Sequence, residues 1–132
     1  MRITADTNLL VRILTRDEPG QSKAAEKILA EAEIVALTLP TLCELVWVLT
    51  RGYEISAEQV SEAIRRLMAA GNVAAQRPAV EAGLAMLDAG GDFADGVIAF
   101  EGGGLGGETF VSFDRRAVQL LRAQGQAAEV LR

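Results

Sequence analysis

The chain contains no histidine. That absence removes Ser-His-Asp and Cys-His nucleophilic catalysis, histidine general-base chemistry and histidine-rich zinc sites together. It has one cysteine, Cys43, so no internal disulfide can form and a reducing compartment is expected. Cys43 has no imidazole to activate it and stands among apolar residues, which reads as core. Positive charge is scarce as well: 13 Lys and Arg against 18 Asp and Glu leave a net charge of −5. A protein that held nucleic acid by bulk charge would be basic. Any such partner must here be met by a local basic patch or by cations that neutralise phosphate. No apolar run is long enough to span a bilayer, and no charged and then apolar leader opens the chain. The expectation is a cytoplasmic protein with no membrane attachment, whose chemistry runs on carboxylates, hydroxyls, arginines or bound cations.

What remains is an ordinary globular composition, 50% hydrophobic and 23% charged over 132 residues, which suits a single domain, 1–132. The opening Ile3-Thr4-Ala5-Asp6-Thr7-Asn8-Leu9-Leu10-Val11 organises the rest: an apolar run reaches a carboxylate, then small polar residues, then a second apolar run. It predicts a strand over 2–6 and a helix over 7–15 with Leu9, Leu10, Ile13 and Leu14 on one face. Asp17-Glu18-Pro19-Gly20 breaks the pattern. Helix follows over 21–32, strand over 34–38, and helix over 41–51 with Leu42, Leu45, Val46 and Leu49 inward. Ser56 with Gln59 forms a capping box for a helix reaching about Ala70. A brief strand over 73–76 precedes a helix from Pro78 to Asp88, and 92–100 reads as a short helix. Residues 101–108 read as a glycine-rich loop, 109–113 as strand, 115–123 as helix and 127–131 as a last strand. Strands alternating with helices predict an α/β fold, a three-layer sandwich with a central parallel sheet flanked by helices.

In such sheets ligands bind outside the carboxyl ends of the strands. Asp6 and Asp114 end predicted strands, Glu44 lies one turn into the helix after the second strand, and Asp92 and Asp95 stand around a helix start. Acids crowded without basic partners resist ionisation. Hard divalent cations such as Mg²⁺ or Mn²⁺ prefer oxygen ligands and remove that penalty. Each acid also has a plainer role. Aspartate is a favoured N-cap, which suits Asp6, Asp92 and Asp114, with Asp95 as the acid of a first turn. Glu44 is different: it interrupts an apolar run from Leu42 to Val48, and a buried acid there needs a partner.

Four segments together resemble the PIN domain, and within it the VapC-type toxin ribonucleases of toxin–antitoxin pairs: Ala5-Asp6-Thr7-Asn8 with Leu9 to Arg12, Leu42-Cys43-Glu44-Leu45, Asp92-Phe93-Ala94-Asp95-Gly96-Val97-Ile98-Ala99, and Val111-Ser112-Phe113-Asp114-Arg115-Arg116. The resemblance covers nearly all of the chain. It implies a metal-dependent endoribonuclease in which Asp6, Glu44, Asp95 and Asp114 are the catalytic acids and hold Mg²⁺ or Mn²⁺, with Asp92 as an auxiliary ligand. Asn8 and Ser112 match polar positions beside the metal; relatives often carry threonine at the latter. Gly96 stands where alanine is commoner. An RNA substrate, a cognate antitoxin that covers the acidic site and a homodimer are implied likewise, the dimer leaving an apolar stripe on the helices between Leu37 and Leu67.

Arg115, with Arg12, Arg16, Arg51 and Arg116, is a candidate for gripping phosphates; a solvated surface is the plainer expectation for each. Gly102, Gly104 and Gly107 spell G-x-G-x-x-G, but they follow a helix and precede a strand, the reverse of the dinucleotide fingerprint. Trp47 at helical spacing reads as packing rather than a base-stacking platform. A receiver-like phosphoacceptor domain fails for want of paired acids after the first strand. The remaining alternative is a non-catalytic PIN-fold scaffold that binds RNA or protein, its acids serving as helix caps.

Overall fold

A computed structural model describes residues 1–132. The chain is α/β, with seven α-helices and parallel strands, and it divides into two compact units, Met1–Gln76 and Arg77–Arg132.

The first unit carries β1 (Arg2–Thr4), α1 (Thr7–Thr15), α2 (Pro19–Glu31), β2 (Ile34–Ala36), α3 (Leu39–Trp47), a π-helical turn (Val48–Gly52), α4 (Ala57–Ala69) and β3 (Val73–Ala74). Its sheet has the order β1-β2-β3, all parallel, with Ile3 opposite Val35 and Val35 opposite Val73. Parallel neighbours need crossovers, and each is supplied by helices. Leu10, Val35, Leu42, Leu45, Leu49, Val60 and Ile64 are fully buried and form its apolar interior.

Local chemistry sets the boundaries. Helix α1 begins where Asp6 accepts from the Leu9 amide at 2.9 Å and ends at Arg16, whose left-handed backbone (φ 56) closes the last turn. The expected break at Pro19-Gly20 lies instead inside α2, because proline is pre-shaped for a first helical position. Strand β2 stops at Ala36, short of the expected Thr38, since Thr38 serves as the N-cap of α3. The expected continuous helix to Arg51 changes register after Trp47: the Tyr53 amide reaches back to the Val48 carbonyl at 3.2 Å, an i→i+5 bond. The Thr50 hydroxyl takes the Val46 carbonyl at 2.7 Å, in competition with the regular helical ladder.

The second unit carries α5 (Arg77–Asp88), α6 (Phe93–Gly104), β4 (Phe110–Ser112), α7 (Arg115–Ala123) and β5 (Ala128–Val130), with β4 and β5 parallel. Met86, Val118, Leu121 and Ala128 form its core, with Phe110, Leu120 and Val130 packed against them. Helices α5 and α6 meet backbone to backbone. A Cβ on Gly96 would stand 2.3 Å from the Ala82 carbonyl oxygen, and one on Gly83 would stand 2.6 Å from the ring of the fully buried Phe93. The expected glycine-rich loop is partly helix: α6 runs through Gly104, and only at Gly106, with φ +102, does the chain turn away. Glycine is a poor helix former, but nothing before that point supplies a stop. No helix of the chain is long and apolar enough to cross a membrane.

Candidate metal centre

In the first unit, Asp6 and Glu44 are both tied to the opening turn of α1. Asp6 is exposed and uses Oδ1 to cap the helix; its Oδ2 takes no hydrogen bond. Glu44 is exposed rather than enclosed by its apolar neighbours. Leu42, Leu45, Val46 and Leu49 take the inner face of the helix, while Glu44 and Trp47, three residues apart, fall on the outer one. Trp47, expected in the packing, is 62% exposed. The partner that Glu44 was expected to need is the hydroxyl of Thr7, which donates to Oε1. Neither acid has an ion pair.

Thr7 was not anticipated as a site residue. The signal lay in its register: Thr7, Leu10 and Val11 share the buried face of α1, so a hydroxyl was being placed on an apolar stripe. Asn8 is exposed and lines an apolar groove of ≈360 Å³ between α1 and α2, with Leu9, Arg12, Gln21, Ala24, Ala25 and Ile28.

In the second unit, Asp92 caps α6, its Oδ1 accepting from the Ala94 amide at 3.1 Å. Asp114 caps α7 through Oδ1, from the Arg116 amide at 3.0 Å and the Ala117 amide at 3.1 Å. The Ser112 hydroxyl accepts from the Asp114 amide at 3.0 Å and so fixes the strand-to-helix turn. Asp95, in the first turn of α6, is half-buried and its carboxylate has neither a hydrogen bond nor an ion pair. Burial pushes its pKa up, and the charges of Asp92 and then Asp114 push it further the same way. The three acids of this unit therefore stand near enough to feel one another.

The expected arginines divide. Arg12 is engaged with Gln21 at 2.7 Å and Asp17 at 3.2 Å, and Arg16 pairs with Glu26 at 2.8 Å. Arg51, Arg115 and Arg116 are exposed and carry no ion pair, which leaves them available to an anion. Gly102 and Gly104 are helical, so these glycines make no phosphate-cradling turn at a helix start.

The donor set suits a hard cation. It is made of carboxylates and hydroxyls, without imidazole, and the crowding around Asp95 is relieved by added positive charge. Within either unit, no group of three or more acidic or cysteine side chains stands close enough together to hold an ion by itself.

The model of one protein family, the PIN domain, matches residues 3–122, a span that includes every one of these acids. No curated protein matches the chain.

Proposed function

We propose that this chain, which belongs to the PIN-domain family, is a Mg²⁺- or Mn²⁺-dependent endoribonuclease and the toxin component of a toxin–antitoxin pair. PIN domains are generally nucleases that use divalent metal ions. The observation that carries the reading for this chain is the state of its acids. Asp6, Glu44, Asp92 and Asp114 each direct one carboxylate oxygen to a protein donor and keep the other free, and Asp95 is raised in pKa with no base to relieve it.

The carboxylates that would serve as ligands are Asp6 and Glu44 in the first unit and, in the second, Asp95 and Asp114 with Asp92 as auxiliary. Bound divalent metal supplies positive charge for the phosphate oxygens and a more acidic water for attack at phosphorus. The chain's own residues do the rest. The caps on Asp6 and Asp114 fix the orientation of those carboxylates. Ser112 rigidifies the turn that carries Asp114. Arg115 and Arg116, unpaired beside Asp114, bind the substrate backbone, which a net charge of −5 cannot attract in bulk. Asn8, exposed in the turn after Asp6, is a second polar contact. The two units act as one PIN domain, cytoplasmic and homodimeric, restrained by an antitoxin segment that covers the acids.

A second reading has an observation of its own: Asp6, Asp92 and Asp114 do cap helices. A non-catalytic scaffold would need nothing more of them. Thermal unfolding separates the two. The nuclease reading expects Mn²⁺ to raise the melting temperature of the wild type, and to raise that of Asp95→Asn much less. A melting temperature indifferent to Mn²⁺ supports the scaffold.

A further inference from the structure

Buried hydroxyls are few in this chain. Thr7, Ser22 and Ser61 are its only buried polar side chains. Ser22 directs its hydroxyl to the Arg12 carbonyl at 2.6 Å, a bond that clips α2 to α1 and has an evident structural use. Thr7 does something else. It is 8% exposed, at the first position of α1, and its hydroxyl donates to an exposed carboxylate 37 residues away. A surface glutamate has several rotatable bonds and ordinarily samples many rotamers. Here Glu44 is held by a buried hydroxyl, on a residue whose backbone directly follows the Asp6 cap. Glu44 has no other partner: no arginine or lysine reaches it. The bond occupies Oε1 and leaves Oε2 unbonded.

We propose that Thr7 is a positioning residue for metal binding: its hydroxyl locks Glu44 so that the second carboxylate oxygen is pre-oriented as a ligand for a divalent cation. This rests on the reading of Glu44 as a metal ligand given above. Outer partners of ligating carboxylates typically change metal affinity by about 10–100-fold. Thr7 is also one residue from Asp6, so a single helical turn orders two acids of the set.

The test is Mn²⁺ titration of the full chain by isothermal calorimetry, for wild type, Thr7→Val, Thr7→Ser and Glu44→Gln. Thr7→Val keeps the shape of the side chain and removes the donor; it is expected to weaken Mn²⁺ binding about tenfold, with the far-ultraviolet spectrum unchanged. Thr7→Ser restores the hydroxyl and is expected to recover binding, which a loss of packing alone would not produce. In the Glu44→Gln background, Thr7→Val should cost no further affinity. Where Thr7→Val does not fold, Thr7→Ala serves in its place, again judged against Thr7→Ser. Wild-type affinity in Thr7→Val, alongside weakened binding in Glu44→Gln, overturns the positioning role and leaves the metal reading standing. Absence of Mn²⁺ binding by the wild type, or binding indifferent to Glu44→Gln, overturns both the role of Glu44 and the proposal that depends on it.

Discussion

Helix capping and metal ligation are commonly treated as rival explanations for an aspartate at a strand-to-helix turn. In this chain they do not compete, because the cap takes one oxygen and leaves one. Capping makes Asp6 and Asp114 better candidates, since a carboxylate already held by backbone amides loses little further freedom on binding. Asp95 is the exception, with no bond to hold it and a pKa pushed up by burial and by its acidic neighbours. Its ionised form therefore weakens the metal-free protein at neutral pH. Asp95→Asn is expected to raise the melting temperature of the EDTA-treated chain by a few degrees while removing most of the gain from Mn²⁺. A second carboxylate runs the other way. Asp17 accepts from the Thr15 hydroxyl and from Tyr53 at 2.8 Å each, and these bonds, with Arg12, lower its pKa. Its contribution is full above the ordinary aspartate range, about pH 4, and is lost as pH falls through the depressed folded value. The melting temperatures of wild type and Asp17→Asn should differ at pH 7 and converge in acid. Residues of this kind were unevenly legible. The caps could be read from Asp6 and Asp114 because their partners lie two or three positions away. The Thr7–Glu44 bond could not, because its two ends are brought together only by the packing of α1 on α3.

At the scale of elements, helix starts with a side-chain cap and a clean apolar stripe were legible to the residue: α1 over Thr7–Thr15 and α7 over Arg115–Ala123 match their expectation. Ends were harder. The last turn of α3 widens into a π-helical turn, a register change that apolar spacing does not encode. Helix α6 runs into glycines that composition assigns to a loop. Trp47 was misplaced because its neighbours are apolar, although its angular position, with Glu44, is on the outer face. In the sequence Gly96 is only a departure from a commoner alanine; its reason is the contact between α5 and α6. Gly96→Ala puts a methyl against the Ala82 carbonyl and is expected to destabilise by about 1–3 kcal/mol, seen as a lower urea midpoint with the slope unchanged. Asn72, which follows α4, works for another helix: its Nδ2 donates to the Leu29 carbonyl at 2.8 Å and to the Ala32 carbonyl at 3.0 Å, satisfying the end of α2. Asn72→Ala should cost about 1–2 kcal/mol by the same urea measurement, because half-buried carbonyls are left without a donor.

At the scale of the molecule, the α/β class and its parallel strands followed from the alternation of apolar runs and amphipathic stretches. Composition narrowed the chemistry more than any motif did. With no histidine and a net charge of −5, the proposed action on nucleic acid falls to carboxylates, hydroxyls, arginines and bound cations. The PIN match over residues 3–122 takes in both compact units and all of the acids. Metal-dependent cleavage of RNA is measured by incubating the purified chain with single-stranded RNA in Mn²⁺, in EDTA, and as Asp6→Asn in Mn²⁺. Cleavage by the wild type in Mn²⁺, and none in the other two conditions, is the expected result; cleavage that survives both EDTA and Asp6→Asn would contradict it.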